Sequence, residues 1–140
     1  MEKLRVLRPL PQKGSQLGDI REFHTKFNQS YEGPPRFLTQ EEMRFRLKFL
    51  REEVQELEDA ITAGNLPDAL DALVDLDFVQ KGTVYLMGFE RVYRTAWTRV
   101  QDANMVKELA GTPERSKRGY AGDIIKPPGW TAPDHSDLCE

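Results

Sequence analysis

The sequence has very little cysteine and no long apolar run, and both shortages limit what the protein can be. Cys139 is its only cysteine among 140 residues, which excludes an intrachain disulfide and any CxxC metal or redox motif. No stretch approaches the roughly 20 apolar residues that span a bilayer, and the N-terminus, MEKLRVLRPLPQKG, has no apolar signal segment. We therefore expect a soluble cytoplasmic protein without a membrane partner.

An excess of positive charge is also missing. The 20 Lys and Arg residues face 23 Asp and Glu residues, so the formal net charge is −3 and no general basic field favours nucleic acid. Hydrophobic residues still make up 39% of the chain, which is typical of a packed globular protein. A length of 140 residues corresponds to one domain.

Apolar spacing and stop signals predict an all-α chain, a bundle of four to five helices, and no segment shows the alternation of a strand. The first helix covers LGDIREFHTKFNQ, and the second runs from the capping residue Thr39 to Ala63, before Gly64. The third extends from the cap Asn65 to Gly88, and the fourth from about residue 90 to residue 110.

The predicted helices define a domain plan for the chain. We expect an irregular arm over residues 1–15, a helical domain over residues 16–112, and a Pro/Gly-rich tail over residues 113–140 that packs on the domain.

The second helix concentrates acid on one side. Glu52, Glu53 and Glu56 fall within about 100° of arc. Phe45 and Phe49 share that arc, although a solvated acidic face should not carry two phenylalanines. A separate apolar stripe is expected to face the core, and it consists of Met43, Leu47, Leu50, Val54, Leu57 and Ile61. An exposed run of charge remains the alternative interpretation of the glutamates.

The third helix repeats the acidic signal. Asp68, Asp71 and Asp75 form one stripe about 60° wide, which continues through Val79, Gly82 and Leu86. We expect these aspartates to be buried or half-buried, so a cation must face them. The helices offer no matching set of basic residues, and all-oxygen ligands suit Mg²⁺ or Mn²⁺. Asp77 points away from this stripe and needs a partner of its own, for which a subunit contact is one candidate.

An ordered set of segments resembles a known family. EEVQE, DALVDLDFVQKGTVYLMG, DANMVK and DIIKPPGW, preceded by REFHTKF and RFRLKFLREE, are similar to MazG-type all-α nucleoside triphosphate pyrophosphohydrolases. The likeness is greatest to short phage and bacterial members, and it extends to phosphoribosyl-ATP pyrophosphohydrolases and dimeric dUTPases. It covers about residues 17–133.

The resemblance implies a metal site. The family pattern is EExxE followed by ExxD, and the position three residues before Asp75 is Ala72 instead of glutamate. Asp71 is the expected substitute, and Asp68 is the alternative. The implied ligands of two or three Mg²⁺ ions, for which Mn²⁺ can substitute, are Glu52, Glu53, Glu56, Asp71 and Asp75. Glu52 and Glu53 are the implied catalytic residues, with Glu52 holding a second ion or orienting water.

The resemblance also implies a reaction and a substrate. Water would attack the α-phosphorus of a nucleoside triphosphate, most plausibly a deoxynucleotide, and release the monophosphate and pyrophosphate. Asn104 and Lys107, expected on one face of the fourth helix, and Lys126 would contact phosphates. The expected base contacts are Phe23, His24 and Phe27, which could equally belong to the core. Trp97 and Trp130 could stack on a base, although packing is the simpler interpretation.

Two alternative functions and the oligomeric state of the protein stay open. A non-catalytic metal or nucleotide sensor and a helical interaction module both fit the same scaffold. The third helix is apolar nearly all round, and the resemblance implies a homodimer or a homotetramer. A phage-encoded enzyme would act in the host cytoplasm.

Overall fold

A computed structural model of the chain describes residues 14–140 and shows a mainly helical protein. Its helices are α1 (Gln16–Lys26), α2 (Gln40–Thr62), α3 (Leu66–Leu86) and α4 (Tyr93–Met105). The prediction of an all-α chain with four helices is confirmed. Across these residues no helix combines the length and apolarity needed to cross a bilayer. The predicted arm over residues 1–15 lies almost wholly outside the described residues.

Two short strands were not predicted. Strand β1 (Glu108–Leu109) pairs antiparallel with β2 (Ile124–Ile125). Single 3₁₀ turns occupy Pro113–Arg115 and Ser136–Leu138. A ladder of two residues per strand is too short to produce an alternating pattern in the sequence.

The described chain divides into two compact units. The first contains residues 14–91 together with residues 139 and 140, and therefore holds α1, α2 and α3. The second contains residues 92–138, and therefore holds α4 and both strands. The domain boundaries expected from the sequence stay predictions.

Helices α2 and α3 begin and end where their capping residues predict. The side chain of Thr39 accepts a hydrogen bond from the Glu42 N–H at the start of α2, and Asn65 caps α3 in the same way through Asp68. Gly64 ends α2 with a φ of 66°, in the left-handed region that glycine adopts without a steric penalty. These local signals made the two central helices predictable.

Helix α1 ends earlier than predicted. Its last helical residue is Lys26, because Asn28 adopts a φ of 59° and reverses the chain. The Gln29 N–H donates to the His24 carbonyl at 2.8 Å, and the Asn28 N–H donates to the Thr25 carbonyl at 3.2 Å. This is the Schellman pattern, with asparagine in the place of the usual glycine.

Helix α4 ends at Met105, so the prediction that it reaches residue 110 is wrong. The Lys107 N–H donates to the Asn104 carbonyl in the closing turn, and Glu108 then enters the ladder opposite Ile125. Asn104 and Lys107 therefore do not share a helix face, contrary to expectation. The competing strand partner lies 17 residues away along the chain, which local sequence signals do not reveal.

The face of α2 that is buried is not the predicted apolar stripe. The buried residues are Arg46, Glu53 and Ala60, on the side that packs against α3. Three side chains of the predicted stripe are exposed: Leu47 by 45%, Val54 by 50% and Ile61 by 64%. The buried face is thus about 80° away around the helix from the expected one. Two charged residues, Arg46 and Glu53, thus lie inside this helix pair, while part of the predicted apolar stripe stays exposed.

The three helices of the first unit meet around a buried guanidinium. Arg46 donates through Nε to Thr83 Oγ1 at 3.0 Å and through Nη2 to the Val79 carbonyl at 2.6 Å. The group fits because Gly82 has no side chain: a Cβ there would lie 2.6 Å from Arg46 Nη2 and 3.1 Å from His24 Nε2. His24 itself is buried and stacks on Tyr85 with 5.2 Å between ring centroids.

Replacing Gly82 with alanine tests this close approach. Alanine normally stabilises a helix relative to glycine by about 0.5–1 kcal/mol. Here the contact with Arg46 should reverse the sign, and we expect a loss of about 1–3 kcal/mol in the free energy of unfolding. Chemical denaturation of Gly82→Ala in the wild-type and Arg46→Ala backgrounds measures it. The loss should shrink when Arg46 is absent, whereas stabilisation in both backgrounds would contradict the packing described.

Candidate metal centre

Helices α2 and α3 bring together carboxylates that are far apart in sequence. One oxygen each of Glu53, Glu56 and Asp75 lies within 4.8 Å of the others. The two helices run antiparallel across this point, since Arg46 contacts Val79 farther from the connecting turn. Three of the residues expected to bind metal thus share one small volume.

Glu53 is the innermost of these carboxylates. Its side chain is 7% exposed, and its Oε2 atom has no hydrogen-bond partner among the residues described. Burial raises the pKa of Glu53, and the charges of Glu56, Asp75 and Glu52 raise it further. A desolvated carboxylate with an unused oxygen is an energetically unfavourable group that a cation would stabilise.

Asp75 connects this cluster to Asp71. Burial raises the pKa of Asp75, followed by the charges of Asp71 and Glu56 and a hydrogen bond with Asp71. Asp71 is exposed, so the prediction that the whole aspartate stripe is buried is wrong for it. It is nevertheless close enough to Asp75 to extend the carboxylate cluster.

Asp68 has a different environment. Its side chain accepts a hydrogen bond from Asn65 Nδ2 at 2.7 Å, and its N–H donates to Asn65 Oδ1 at 3.0 Å. Asp68 is exposed, contrary to the prediction for the stripe. One of its carboxylate oxygens is already hydrogen-bonded to Asn65, the residue that caps α3. Asp71 is therefore the better placed of the two aspartates to join the cluster.

A pocket of about 390 Å³ opens beside the carboxylates. It is lined by Glu56, Asp59, Ala60, Ala63, Asp68, Asp71 and Ala72. Ala72, where the family pattern has glutamate, is buried and forms part of the pocket wall. Glu56 belongs to both the cluster and the pocket, so the pocket gives a route from solvent to the carboxylates.

The carboxylates of the cluster form no ion pair with a basic side chain of the described residues. Among the ion pairs of residues 14–140, none involves Glu53, Glu56 or Asp75. Asp77 was expected to need a partner, for which a subunit contact was one candidate, and it pairs with Lys81 on the same helix. A set of oxygen donors with one unpartnered buried atom fits a hard divalent cation. The arrangement can therefore hold a metal ion.

The expected base-contacting residues lie on α1 in two environments. Phe23 and Phe27 are 41% and 53% exposed, and their ring centroids are 5.0 Å apart. His24 is buried, and burial lowers its pKa more than its hydrogen bond with Gln29 raises it. Phe78, whose ring lies 5.2 Å from that of Phe23, extends this aromatic surface. The sequence analysis missed Phe78, although its position three residues after Asp75 places it near the cluster on α3.

The expected phosphate contacts belong to the second unit. Asn104 is exposed in the last turn of α4. Lys107 and Lys126 both approach Trp130, with their ammonium nitrogens 4.9 Å and 5.0 Å from the centroid of its ring. The structure thus brings the two lysines to one aromatic side chain, and Trp97 remains 62% exposed elsewhere.

Comparison with known protein families gives a match over most of the helical region. The model of the phosphoribosyl-ATP pyrophosphohydrolase family matches residues 20–104, which include every carboxylate of the cluster. No curated protein matches the chain.

The raised pKa of Glu53 predicts how the stability of the metal-free protein changes with pH. The unfolded chain releases this proton at a lower pH than the folded protein, so the folded state holds more protons between the two pKa values. Stability contributed by protonated Glu53 is complete below about pH 4 and is lost as pH rises through the folded pKa. In EDTA, Glu53→Gln should therefore melt a few degrees above the wild type at neutral pH.

Thermal melts from acid to neutral pH measure this difference. The two proteins should converge near the acid end, and Glu58→Gln, a change at an exposed glutamate of α2, should match the wild type throughout. A Glu53→Gln protein that melts lower than the wild type at neutral pH would show that the ionised carboxylate has a stabilising partner.

Proposed function

The chain belongs to the phosphoribosyl-ATP pyrophosphohydrolase family of MazG-like nucleotide pyrophosphohydrolases, and on that premise we propose that it hydrolyses nucleoside triphosphates, preferably deoxynucleotides. Family membership implies nucleotide pyrophosphohydrolase activity. In the proposed reaction a water oxygen bonds to the α-phosphorus, and the bond from that phosphorus to the bridging oxygen breaks. The products are a nucleoside monophosphate and pyrophosphate. The enzyme would act in the cytoplasm, or in that of the host if it is phage-encoded.

The observation that carries the proposal is the unpartnered, buried oxygen of Glu53 within the carboxylate cluster. In the proposal, Glu53, Glu56 and Asp75 hold two or three Mg²⁺ ions, or Mn²⁺ in their place, with Asp71 replacing the glutamate absent at Ala72. Such ions supply positive charge against the phosphate oxygens and acidify bound water.

Glu52 and Glu53 have separate roles in this proposal. Glu53 is buried and fixed, which suits a ligand whose geometry must not vary. Glu52 is exposed on the same side of α2, and its charge reaches Glu53. It can bind a second ion or accept a hydrogen bond from the attacking water and so orient it.

The remaining proposed contacts recognise the nucleotide. Phe23 and Phe27 present exposed ring surface on which a base can stack. His24 supports them from the core through its contacts with Phe23 and Tyr85. Asn104, Lys107 and Lys126 are the proposed phosphate contacts, as a hydrogen-bond donor and two point charges.

We also propose that two copies of the chain associate through apolar helix faces that are exposed on the first unit. On α2 the uncovered side chains are Leu47, Val54 and Ile61. On α3 four apolar side chains are 50–81% exposed, namely Leu66, Leu70, Leu73 and Val74. Exposed apolar side chains in this number on two packed helices support a homodimer or a dimer of dimers.

Turnover by ligand variants tests the metal assignment. Glu53→Gln, Glu56→Gln and Asp75→Asn should each reduce the release of monophosphate and pyrophosphate about 100-fold or more, because each removes a charged ligand. The assay covers the common dNTPs and NTPs, dUTP, dITP and phosphoribosyl-ATP, each with Mg²⁺, Mn²⁺ or EDTA. Near-normal turnover by Glu53→Gln would remove the basis of the proposal.

Three further results of that assay separate the open alternatives. Asp71→Asn should lower turnover far more than Asp68→Asn, since the carboxylate of Asp68 already accepts a hydrogen bond from Asn65, the residue that caps α3. Absence of turnover in every condition, with a melting temperature still raised by Mn²⁺, would identify a sensor. No turnover and no stabilisation by metal would identify an interaction module. Glu58→Gln serves as the matched control and should retain wild-type activity.

Substitution on the uncovered stripe tests the assembly. Val54→Asp places a charge at the centre of the proposed interface, and a buried unpaired charge opposes association strongly. Sedimentation velocity should find the wild type as a dimer or tetramer and Val54→Asp as a monomer. Lys48→Asp, at an exposed position of the same helix outside the stripe, should leave the assembly intact. A wild type that sediments as a monomer at micromolar concentration would overturn this part of the proposal.

A further inference from the structure

The two-stranded ladder of the second unit places two positive charges side by side. Glu108 pairs with Ile125, and Leu109 pairs with Ile124. Continuing this antiparallel register by one position sets Lys107 opposite Lys126. Like charges directly opposite each other on adjacent strands destabilise the pair. The backbone therefore holds together two lysines that would otherwise separate.

Trp130 lies where the two lysine side chains converge. Their ammonium nitrogens are 4.9 Å and 5.0 Å from its ring centroid, which is within the range of a cation–π contact. The indole Nε1 donates to the Ala103 carbonyl at 2.7 Å and so ties the ring to the last turns of α4. One anchored ring thus restrains two flexible side chains at once.

The acidic residues of this hairpin are engaged with other cations. Glu108 pairs with Arg115 at 2.8 Å, and Asp123 pairs with Arg118 at 2.9 Å. Asp123 also accepts a hydrogen bond from Ser116 at 2.7 Å. Within the described chain no ion pair includes Lys107 or Lys126. The ammonium groups of Lys107 and Lys126, both near the ring of Trp130, are thereby left without a carboxylate.

We propose that Trp130 is a positioning residue, which holds Lys107 and Lys126 as a two-pronged fork for adjacent phosphate groups of a polyphosphate. Two positive charges held against one ring favour a ligand with linked phosphates over a single phosphate, because both lysines can contact such a ligand at the same time. The inference rests on the proposed function for the identity of the ligand. The role of Trp130 is distinct from base stacking, since it acts through the lysines.

Calorimetric binding of inorganic pyrophosphate to the full chain in EDTA tests the fork apart from turnover and metal. Lys107→Gln and Lys126→Gln should each weaken pyrophosphate about tenfold, as loss of one charged contact predicts. Trp130→Leu should weaken it by a similar factor, and Trp130→Phe, which keeps an aromatic ring, by less. Two matched controls, Trp97→Leu and Lys48→Gln, should bind as the wild type does.

A double-mutant comparison separates positioning from general structural damage. If Trp130 acts through the lysines, Trp130→Leu should cause no further loss of pyrophosphate binding in a Lys107→Gln/Lys126→Gln background. An equal loss in that background, or wild-type affinity of Trp130→Leu, would overturn the inference. Circular dichroism and thermal melts establish whether each variant is folded. If Trp130→Leu does not fold, Trp130→Phe keeps the test decisive.

The two proposals fail in different ways. Pyrophosphate binding that depends on Lys107, Lys126 and Trp130 in a protein without turnover would sustain the fork and reject the enzyme. Normal turnover with pyrophosphate binding indifferent to all three residues would reject the fork alone.

Discussion

Repulsion among carboxylates at the contact between α2 and α3 is the constraint on which the rest of the structure depends. Glu53 and Asp75 both have raised pKa values, because burial and neighbouring negative charge oppose their ionisation. The one buried cation of the described helices α1 to α3, Arg46, is two helical turns from Glu53 and bonds to Val79 and Thr83 instead. The interface thus keeps its charges unsatisfied where a cation could bind, and binding would be coupled to stability by mass action.

The orientation of α2 connects the carboxylate cluster to the surface of the first unit. Turning Glu53 toward α3 also turns the guanidinium of Arg46 inward, where the missing side chain of Gly82 leaves room for it. Because Leu47 and Val54 lie on a different side of α2 from Glu53 and Arg46, their side chains remain exposed to solvent. The orientation of α2 about its axis that buries the carboxylate of Glu53 is therefore the same orientation that leaves apolar side chains exposed. This links the proposed chemistry to the proposed association of copies.

Much of this arrangement was predictable from local signals, and the rest depended on long-range contacts. Thr39 and Asn65 set the starts of α2 and α3, since a capping side chain acts within three residues. The resemblance to the pyrophosphohydrolases implied that Glu53 and Asp75 belong to one metal site, and their carboxylates do lie together. The buried face of α2 was predicted wrongly, because an apolar stripe in a sequence does not reveal which side of a helix packs against its neighbours in the same chain. The convergence of Lys107 and Lys126 required the strand register, which no local pattern encodes.

Calorimetric titration of Mn²⁺ into metal-free protein, with the wild type beside Glu53→Gln, tests most directly the claim that the carboxylate cluster is a cation site. The account predicts saturable binding by the wild type, with protons released in amounts that grow as the pH falls toward the raised pKa of Glu53. Glu53→Gln should bind at least tenfold more weakly. Absence of binding by the wild type, or equal affinity in the two proteins, would contradict the account.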